Sequence, residues 1–388
     1  MKSRGRVLVL AVSLPVIAFA VIGGFMSNAI ARQDSYQYLR IFEDVVSLIL
    51  QNYVEDVNVD KVMHGAMHGL ADGLDPDSAY LDVNQVKVLD KGETGGAGQV
   101  GLEITRQYYL RVIAARDGSP AAKAGLMPGD YIRAIDGQST RDTTVYEGQR
   151  LLRGRPGSKV HLTVLRGNAV EPHEVDLIRE ELPAAAVKSR IAAPGVGYLR
   201  IPEFGKSTPD QIKSEVSSLT KAGAKNIVID VRGTAFGDAD AGIAAARLFV
   251  KSGVLAYRQD RGREKEAVSA AAGDGAITLN AVVLTDSGTS SGAEVFAAAL
   301  AGNKRAQLIG ERTLGRAARQ KLVRLPDGSG LMLTHLIYLT PSSAAIHEKG
   351  LTPDVAVDQP DVEFGQPPAA KDPILDKAIE SLSTKAAA

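Results

Sequence analysis

Residues 284–320 read LTDSGTSSGAEVFAAALAGNKRAQLIGERTLGRAARQ. An apolar run from Ile277 to Leu284 enters a turn of Gly, Ser and Thr, an apolar Ala-rich stretch opens at Ser291, and a second apolar run covers Ala306 to Gly310. A Gly-containing turn then leads into a third strand. The pattern is strand, helix, strand and strand, the alternation of an α/β core. Where a strand turn gives way to a helix, backbone N–H groups can stabilise an oxyanion, so a small hydroxyl there is well placed as a nucleophile. Ser291 is that hydroxyl. It also stands three residues before Glu294, the S-x-x-E spacing of a capping box, and from this stretch alone both readings remain open.

The outer bounds come from composition. A chain of 388 residues with 45% hydrophobic content can bury a sizeable core in two or three domains. Its 45 Lys plus Arg cancel its 45 Asp plus Glu, so no overall field favours nucleic acid or an anionic surface. The absence of cysteine excludes disulfides, thiolate metal sites and a Cys nucleophile. Lys2, Arg4 and Arg6 precede an apolar run from Val7 to Met26, and Ala29-Ile30-Ala31 has the form of a cleavage site. This is an export signal, either removed or kept as a membrane anchor, and the basic residues place everything after Arg32 outside the cytoplasm. The expected location is periplasmic or otherwise extracytoplasmic.

Outward from the opening stretch, the apolar positions between Tyr36 and Leu74 recur at helical spacing and predict a small helical pair. DPDSAYLD (Asp75 to Asp82) stops it; Asp75 and Asp77 read as turn residues rather than as metal ligands. Residues 88–180 read as short strands with one helix, Thr143 to Arg153, and a Pro/Ala-rich link at Leu182 to Ala186 follows. VGYLRIPEFG (Val196 to Gly205) and KNIVIDVRGTAFG (Lys225 to Gly237) supply strands of a new domain, separated by an amphipathic helix from Thr208 to Ala222. Strands Lys321 to Leu325 and Leu331 to Leu339 flank the turn PDGSG, and Asp372 to Leu382 gives a terminal helix.

Across Tyr36 to Leu382 these motifs resemble the carboxyl-terminal processing peptidases, also called tail-specific proteases. DPDSAYLD is similar to their D-P-H-S-x-Y-L, and SPAAKAGLMPGDYIRAIDG (Ser119 to Gly137) carries the G-L-x-P-G-D-x-I-x-x-I-x-G signature of a PDZ domain. LTPSSAAIHEKGLTPDVAV (Leu339 to Val357) is similar to Y-T-P-S-G-R-S-I-Q-G-x-G-I-x-P-D-x-x-V. The resemblance implies a helical N-terminal segment (32–86) after the signal or anchor (1–31), a PDZ domain (87–181), an α/β peptidase core with a mixed sheet (182–360) and a terminal helix and tail (361–388). It implies that Ser291 is the nucleophile, that Gly237 lies in the oxyanion region, and that Val100, Gly101, Leu102 and Ile104 form the loop and strand that capture a peptide C-terminus. The partners implied are protein or peptide C-termini, or an active homologous protease, with no nucleic acid, no metal and no cofactor.

The departures from the family pattern cluster at the chemistry. The family's catalytic lysine follows in G-K-G-x-x-Q, and at the same interval from Ser291 that register falls on Gly315, Arg316, Ala317 and Gln320. A dyad lysine works because burial allows it to be neutral, whereas a guanidinium stays protonated. Losing the base should cost about 10⁴-fold in rate. Asn-Pro-Gly-Gly is replaced by Thr234, Ala235, Phe236 and Gly237, and Phe236 neither adopts positive φ cheaply nor leaves the space a glycine would. The family's arginine before the Ser-Ile of the later motif is also gone, Gly-Arg being replaced by Ser343-Ala344. Asp230 and Arg232 match D-L-R and read as a structural ion pair. Lys321 should point to the other face of its strand, and His335, in the core sheet, is the candidate substitute base against a purely structural role. Two functions follow: a catalytically impaired, PDZ-bearing binder of protein C-termini, or an active serine endopeptidase of the same family using another base.

Overall fold

A computed structural model describes residues 36–92, 95–167, 171–366 and 371–386, so the apolar run from Val7 to Met26 lies outside the described residues. The chain forms two compact units, one through Met67 and one from His68. The first contains helix α1 (residues 36–52) and the opening turns of α2 (Val59–Asp72), the helical pair that the periodicity predicts. Among the described residues no helix is long and apolar enough to cross a membrane.

The second unit begins at the end of α2 with an Asp-Pro-Asp-Ser turn. Asp75 Oδ1 accepts from the N–H groups of Asp77 (2.9 Å) and Ser78 (2.8 Å), as turn chemistry demands. Strand β1 (Ala79–Leu81) follows, then α3 (Val83–Asp90), which Asp82 and Gln85 close with a capping box.

An antiparallel sheet comes next. Its order is β2 (Leu102–Gln107), β3 (Tyr109–Ala115), β4 (Tyr131–Ile135), β6 (Lys159–Leu165) and β7 (His173–Ile178), with β5 (Gln138–Ser139) paired to β4. Val160, Leu162 and Val164 alternate inward along β6 and meet Ile104, Leu110 and Ile132 in a closed core. Short α4 (Pro120–Lys123) is capped by Ser119, and α5 (Val145–Leu152) by Thr144. A Cβ at Gly148 would lie 2.4 Å from Leu110 and 2.9 Å from Ile104, so α5 approaches β2 and β3 closely. Strands β2 and β7 are the two edges of this sheet.

The remaining chain builds a six-stranded mixed sheet in the order β19 (Val355–Ala356), β16 (Ala306–Gly310), β15 (Asn280–Thr285), β11 (Asn226–Asp230), β9 (Val196–Arg200) and β8 (Lys188–Ala193). All neighbours are parallel except the edge pair β8 and β9. Both faces are covered, and the alternation along β11 shows it: Ile227 and Ile229 pack among α6 (Thr208–Lys221), α7 (Ala239–Ala246) and α8 (Gly292–Gly302), while Val228 packs with Ile374, Ala378 and Leu382 of α9 (Pro373–Ala386). A parallel two-residue pairing joins β10 (Glu203–Phe204) to β12 (Phe236–Gly237).

A second antiparallel sheet runs β1, β18 (Gly330–Leu339), β13 (Val254–Asp260) and β14 (Glu266–Ser269), with β17 (Ala318–Arg324) also paired to β18. Strand β17 starts before Lys321, where the sequence predicts it to start, because Ala318, Arg319 and Gln320 already pair with β18. The pairing of β1 with β18 draws the Asp-Pro-Asp-Ser turn alongside the start of β17.

Candidate active site

Strands β11 and β15 are parallel neighbours, and the loops that leave their carboxyl ends are bonded to each other. The Gly233 N–H donates to Asp286 Oδ1 (2.8 Å), the Ser290 N–H to the Thr234 carbonyl (3.0 Å), and the Thr289 hydroxyl to the Val231 carbonyl (2.9 Å). Ligand crevices in such sheets form outside these carboxyl ends. Here a cleft of about 370 Å³ is lined by Ser291, Gly237, Phe236, Arg316, Gln320 and Glu103, with Asp238 and Arg319 beside them.

Ser291 stands at the start of α8 with φ 55° and ψ −121°. A residue bearing a Cβ is held there at a cost on the order of 1–3 kcal/mol, and a sharp turn from strand to helix is the geometry that presents a nucleophilic hydroxyl. The hydroxyl lies 3.4 Å from the Gly237 carbonyl oxygen. The capping relation with Glu294 coexists with this exposure, since the Ser291 N–H donates to Glu294 Oε2 at 3.2 Å.

Glu294 reaches further than a cap. Fully buried, its carboxylate also accepts from the Thr313 hydroxyl, the Gly315 N–H (2.6 Å) and the Arg316 N–H (2.8 Å). Burial pushes this carboxyl up to about 7, against the four hydrogen bonds that favour its charged form. One side chain thereby fixes the start of α8 and the backbone of residue 316 relative to each other.

The Arg316 side chain, 21% exposed, is held from two sides. Its Nε donates to Asp77 Oδ2 at 2.9 Å and its Nη1 to Glu103 Oε1 at 2.6 Å. Burial alone would lower its hold on the proton, but the carboxylates of Asp77 and Glu103 outweigh burial and raise the pKa above the ordinary guanidinium value. Burial raises the Glu103 carboxyl, and Arg316 offsets this only in part. Asp77 and Glu103 were not among the site residues read from the sequence. Asp77 read only as a turn residue, although it stands where the family motif D-P-H-S has histidine; Glu103 carried no signal beyond its place in β2.

The other expected positions fall as follows. Gln320 lines the cleft and donates through Nε2 to the Thr334 hydroxyl at 3.2 Å. Gly237 has φ 104°, and a Cβ there would meet the Phe204 carbonyl oxygen at 1.9 Å, so only glycine fits. Phe236, by contrast, keeps a negative φ in β12, which removes the backbone objection to phenylalanine at that position. Its ring still occupies the cleft wall, with the Arg116 guanidinium 5.8 Å from its centroid. His335 is the extra residue of a bulge in β18, between the pairs Arg319–Leu336 and Gln320–Thr334, and does not line the cleft. Lys321 is exposed and does not line it either. Asp230 and Arg232 form the expected ion pair at 2.6 Å.

In the antiparallel domain, the side chains of Val100, Leu102 and Ile104 are buried in its core, so what this segment can offer a ligand is backbone. The Val100 and Gly101 carbonyls accept from the N–H groups of Ala121 (3.0 Å) and Arg116 (2.8 Å). Gly101 has φ 76°, and a Cβ there would meet Ser119 Cβ at 2.3 Å, so this glycine is required by the loop itself.

Residues 195–357 match Peptidase family S41, and residues 111–166 match a PDZ domain. The carboxy-terminal-processing protease of Bartonella bacilliformis is 30% identical over 362 residues, covering 89% of this chain and 83% of that protein. The carboxyl-terminal-processing protease of Synechocystis sp. is 33% identical over 316 residues, covering 80% of this chain and 74% of that protein. Among solved structures, a photosystem II D1 C-terminal processing protease superposes with a TM-score of 0.69 at 28% identity, covering 82% of this chain and 92% of that one. The chain therefore belongs to the carboxyl-terminal processing protease family, with an S41 peptidase core and a PDZ domain.

Proposed function

We propose that this protein binds protein C-termini through its PDZ domain and is catalytically impaired, because Arg316 stands at the position of the general-base lysine. The observation that carries this reading is the pairing of the Arg316 guanidinium with Asp77 and Glu103. A guanidinium in that setting takes no proton from Ser291, and the nucleophile is left without its partner. Neither His335 nor Lys321 lines the cleft, so neither offers an evident substitute. The alternative, an active endopeptidase of the same family with another base, draws its support from the strained turn at Ser291, which keeps a hydroxyl at the cleft.

Cleavage of an unfolded protein such as casein decides between them. The full-length chain should leave casein intact over hours; robust cleavage that disappears in Ser291→Ala would overturn the impaired reading.

Peptide capture is tested separately. The edge position of β2 and the close approach of α5 suit addition of an extended peptide as a further strand, with backbone N–H groups of residues 100–102 receiving its carboxylate. Peptides with a free apolar C-terminus should bind at least tenfold more tightly than their amidated forms in a fluorescence titration. Equal affinities would remove the carboxylate-capture role. The export reading of residues 1–31 places this binding outside the cytoplasm, which protease accessibility in spheroplasts checks.

A further inference from the structure

Asp77 and Arg316 lie 239 residues apart and touch only because β1 pairs with β18 and β18 with β17. Each departs from its motif: Asp77 stands where D-P-H-S has histidine, Arg316 where G-K-G has lysine. The two departures meet at 2.9 Å, with Glu103 of β2 completing the clasp from the PDZ side. Resting on the reading of position 316 as the family's base position, we propose that Asp77 and Arg316 are a matched replacement. Asp77, with Glu103, makes position 316 a site for a permanently charged cation, whichever basic residue occupies it. The base is then lost twice, once by residue type and once by surroundings.

The physical ground is the placement of charge. Asp77 is the more enclosed partner, its side chain 5% exposed against 22% for Glu103. A carboxylate this close favours the charged form of an ammonium as strongly as that of a guanidinium. The other groups around the clasp do not cancel this. Glu294 accepts from the residue-316 N–H and brings no cation, Asp238 lines the same cleft, and Arg319, which lines it too, is engaged by Asp240 and Asp238. Arg153 also acts on Glu103, more weakly than Arg316. A lysine at 316 would therefore stay charged at neutral pH, whereas removal of the two carboxylates would leave it half-buried without a counter-ion and lower its affinity for the proton.

The test uses the full chain carrying Arg316→Lys, alone and with Asp77→Asn plus Glu103→Gln, each change nearly isosteric. The titration of the new ammonium is followed by NMR with isotope-labelled lysine, under circular dichroism control of the fold. In parallel, Ser291 is challenged with a fluorophosphonate. In that reaction the Oγ–P bond forms, fluoride leaves with the P–F bond, and the hydroxyl proton passes to the neutral lysine. The expected result is an inflection above the ordinary lysine value, about 10.4, in Arg316→Lys alone. It should fall by on the order of 2 to 3 pH units in the triple variant, where Ser291 labelling at pH 8 should rise at least tenfold. An inflection already below about 9 in the single variant, or one that does not move when the carboxylates are removed, overturns the inference. A titration that shifts as expected while Ser291 stays unlabelled in every variant upholds the cation site and overturns instead the assignment of Ser291 as nucleophile.

Discussion

Arg232 and Arg316 are each clasped by two carboxylates, Arg232 by Asp230 (2.6 Å) and Asp372 (2.8 Å), Arg316 by Glu103 (2.6 Å) and Asp77 (2.8 Å). The first clasp ties the end of β11 to the start of α9, and its inner carboxylate has further help. Tyr198 donates to Asp230 at 2.7 Å, Arg200 stands 3.9 Å away, and the Arg232 N–H donates to the same group. Burial opposes the charge on Asp230, yet Arg232 and Arg200 outweigh it and hold the carboxyl below its ordinary range. Glu103 has one close cation and little else, and burial wins there, holding it above that range. Two ion pairs of nearly equal length thus differ in what they do to their carboxylates. Contact distance does not measure how well a charge is supported; the number of donors around it does.

The largest test of that difference is Arg232→Ala. It would leave Asp230, with a side chain only 4% exposed, short of its principal cation, and should cost about 3–5 kcal/mol in urea unfolding. Asp372, 35% exposed, adds little to that figure. In an Asp77→Asn background, where no second enclosed carboxylate is stranded, Arg316→Ala should cost less, about 1–3 kcal/mol, because Glu103, 22% exposed, can accept a proton or reach solvent once its partner is gone. Equal losses for the two arginines would mean that the extra donors around Asp230 do not matter.

The smallest effect is the slope of stability with pH. Asp230, with its folded value lowered, contributes stability above its unfolded value of about 3.9 that is lost as pH falls through the folded value. Glu103, with its folded value raised, does the reverse. Its contribution is fully present below the unfolded value of about 4.3 and is lost as pH rises through the folded one. Relative to Glu103→Gln, the natural protein should gain stability on acidification through that window, whereas relative to Asp230→Asn it should lose stability below about pH 4. Slopes of the same sign would show that the two clasps are electrostatically alike.

What could be read from the sequence follows the range of the interactions involved. Helix α8 and strands β15 and β16 were legible because their apolar periods are local and their caps lie within four residues. The early start of β17 was not, since Ala318, Arg319 and Gln320 have no strand-like alternation and become strand only by pairing with β18. At the cleft, Ser291, Gly237, Arg316 and Gln320 were found by motif spacing, and they line one cavity. The partners that decide the state of Arg316 were not found. Asp77 sits in a turn whose local chemistry already explains an aspartate, and Glu103 belongs to a different sheet. Nothing in either neighbourhood names residue 316. Phe236 shows the opposite failure, for the motif register gave the right residue and the wrong backbone objection.

Glu294 grips the main chain of residue 316, leaving the side chain there outside its four hydrogen bonds. The point from which that side chain departs is consequently independent of what the side chain is. Arginine, lysine or a synthetic amino acid installed at 316 would emerge from the same place beside Ser291, which makes the cleft a fixed mounting on which a new reactive group can be set without redesigning the protein beneath it.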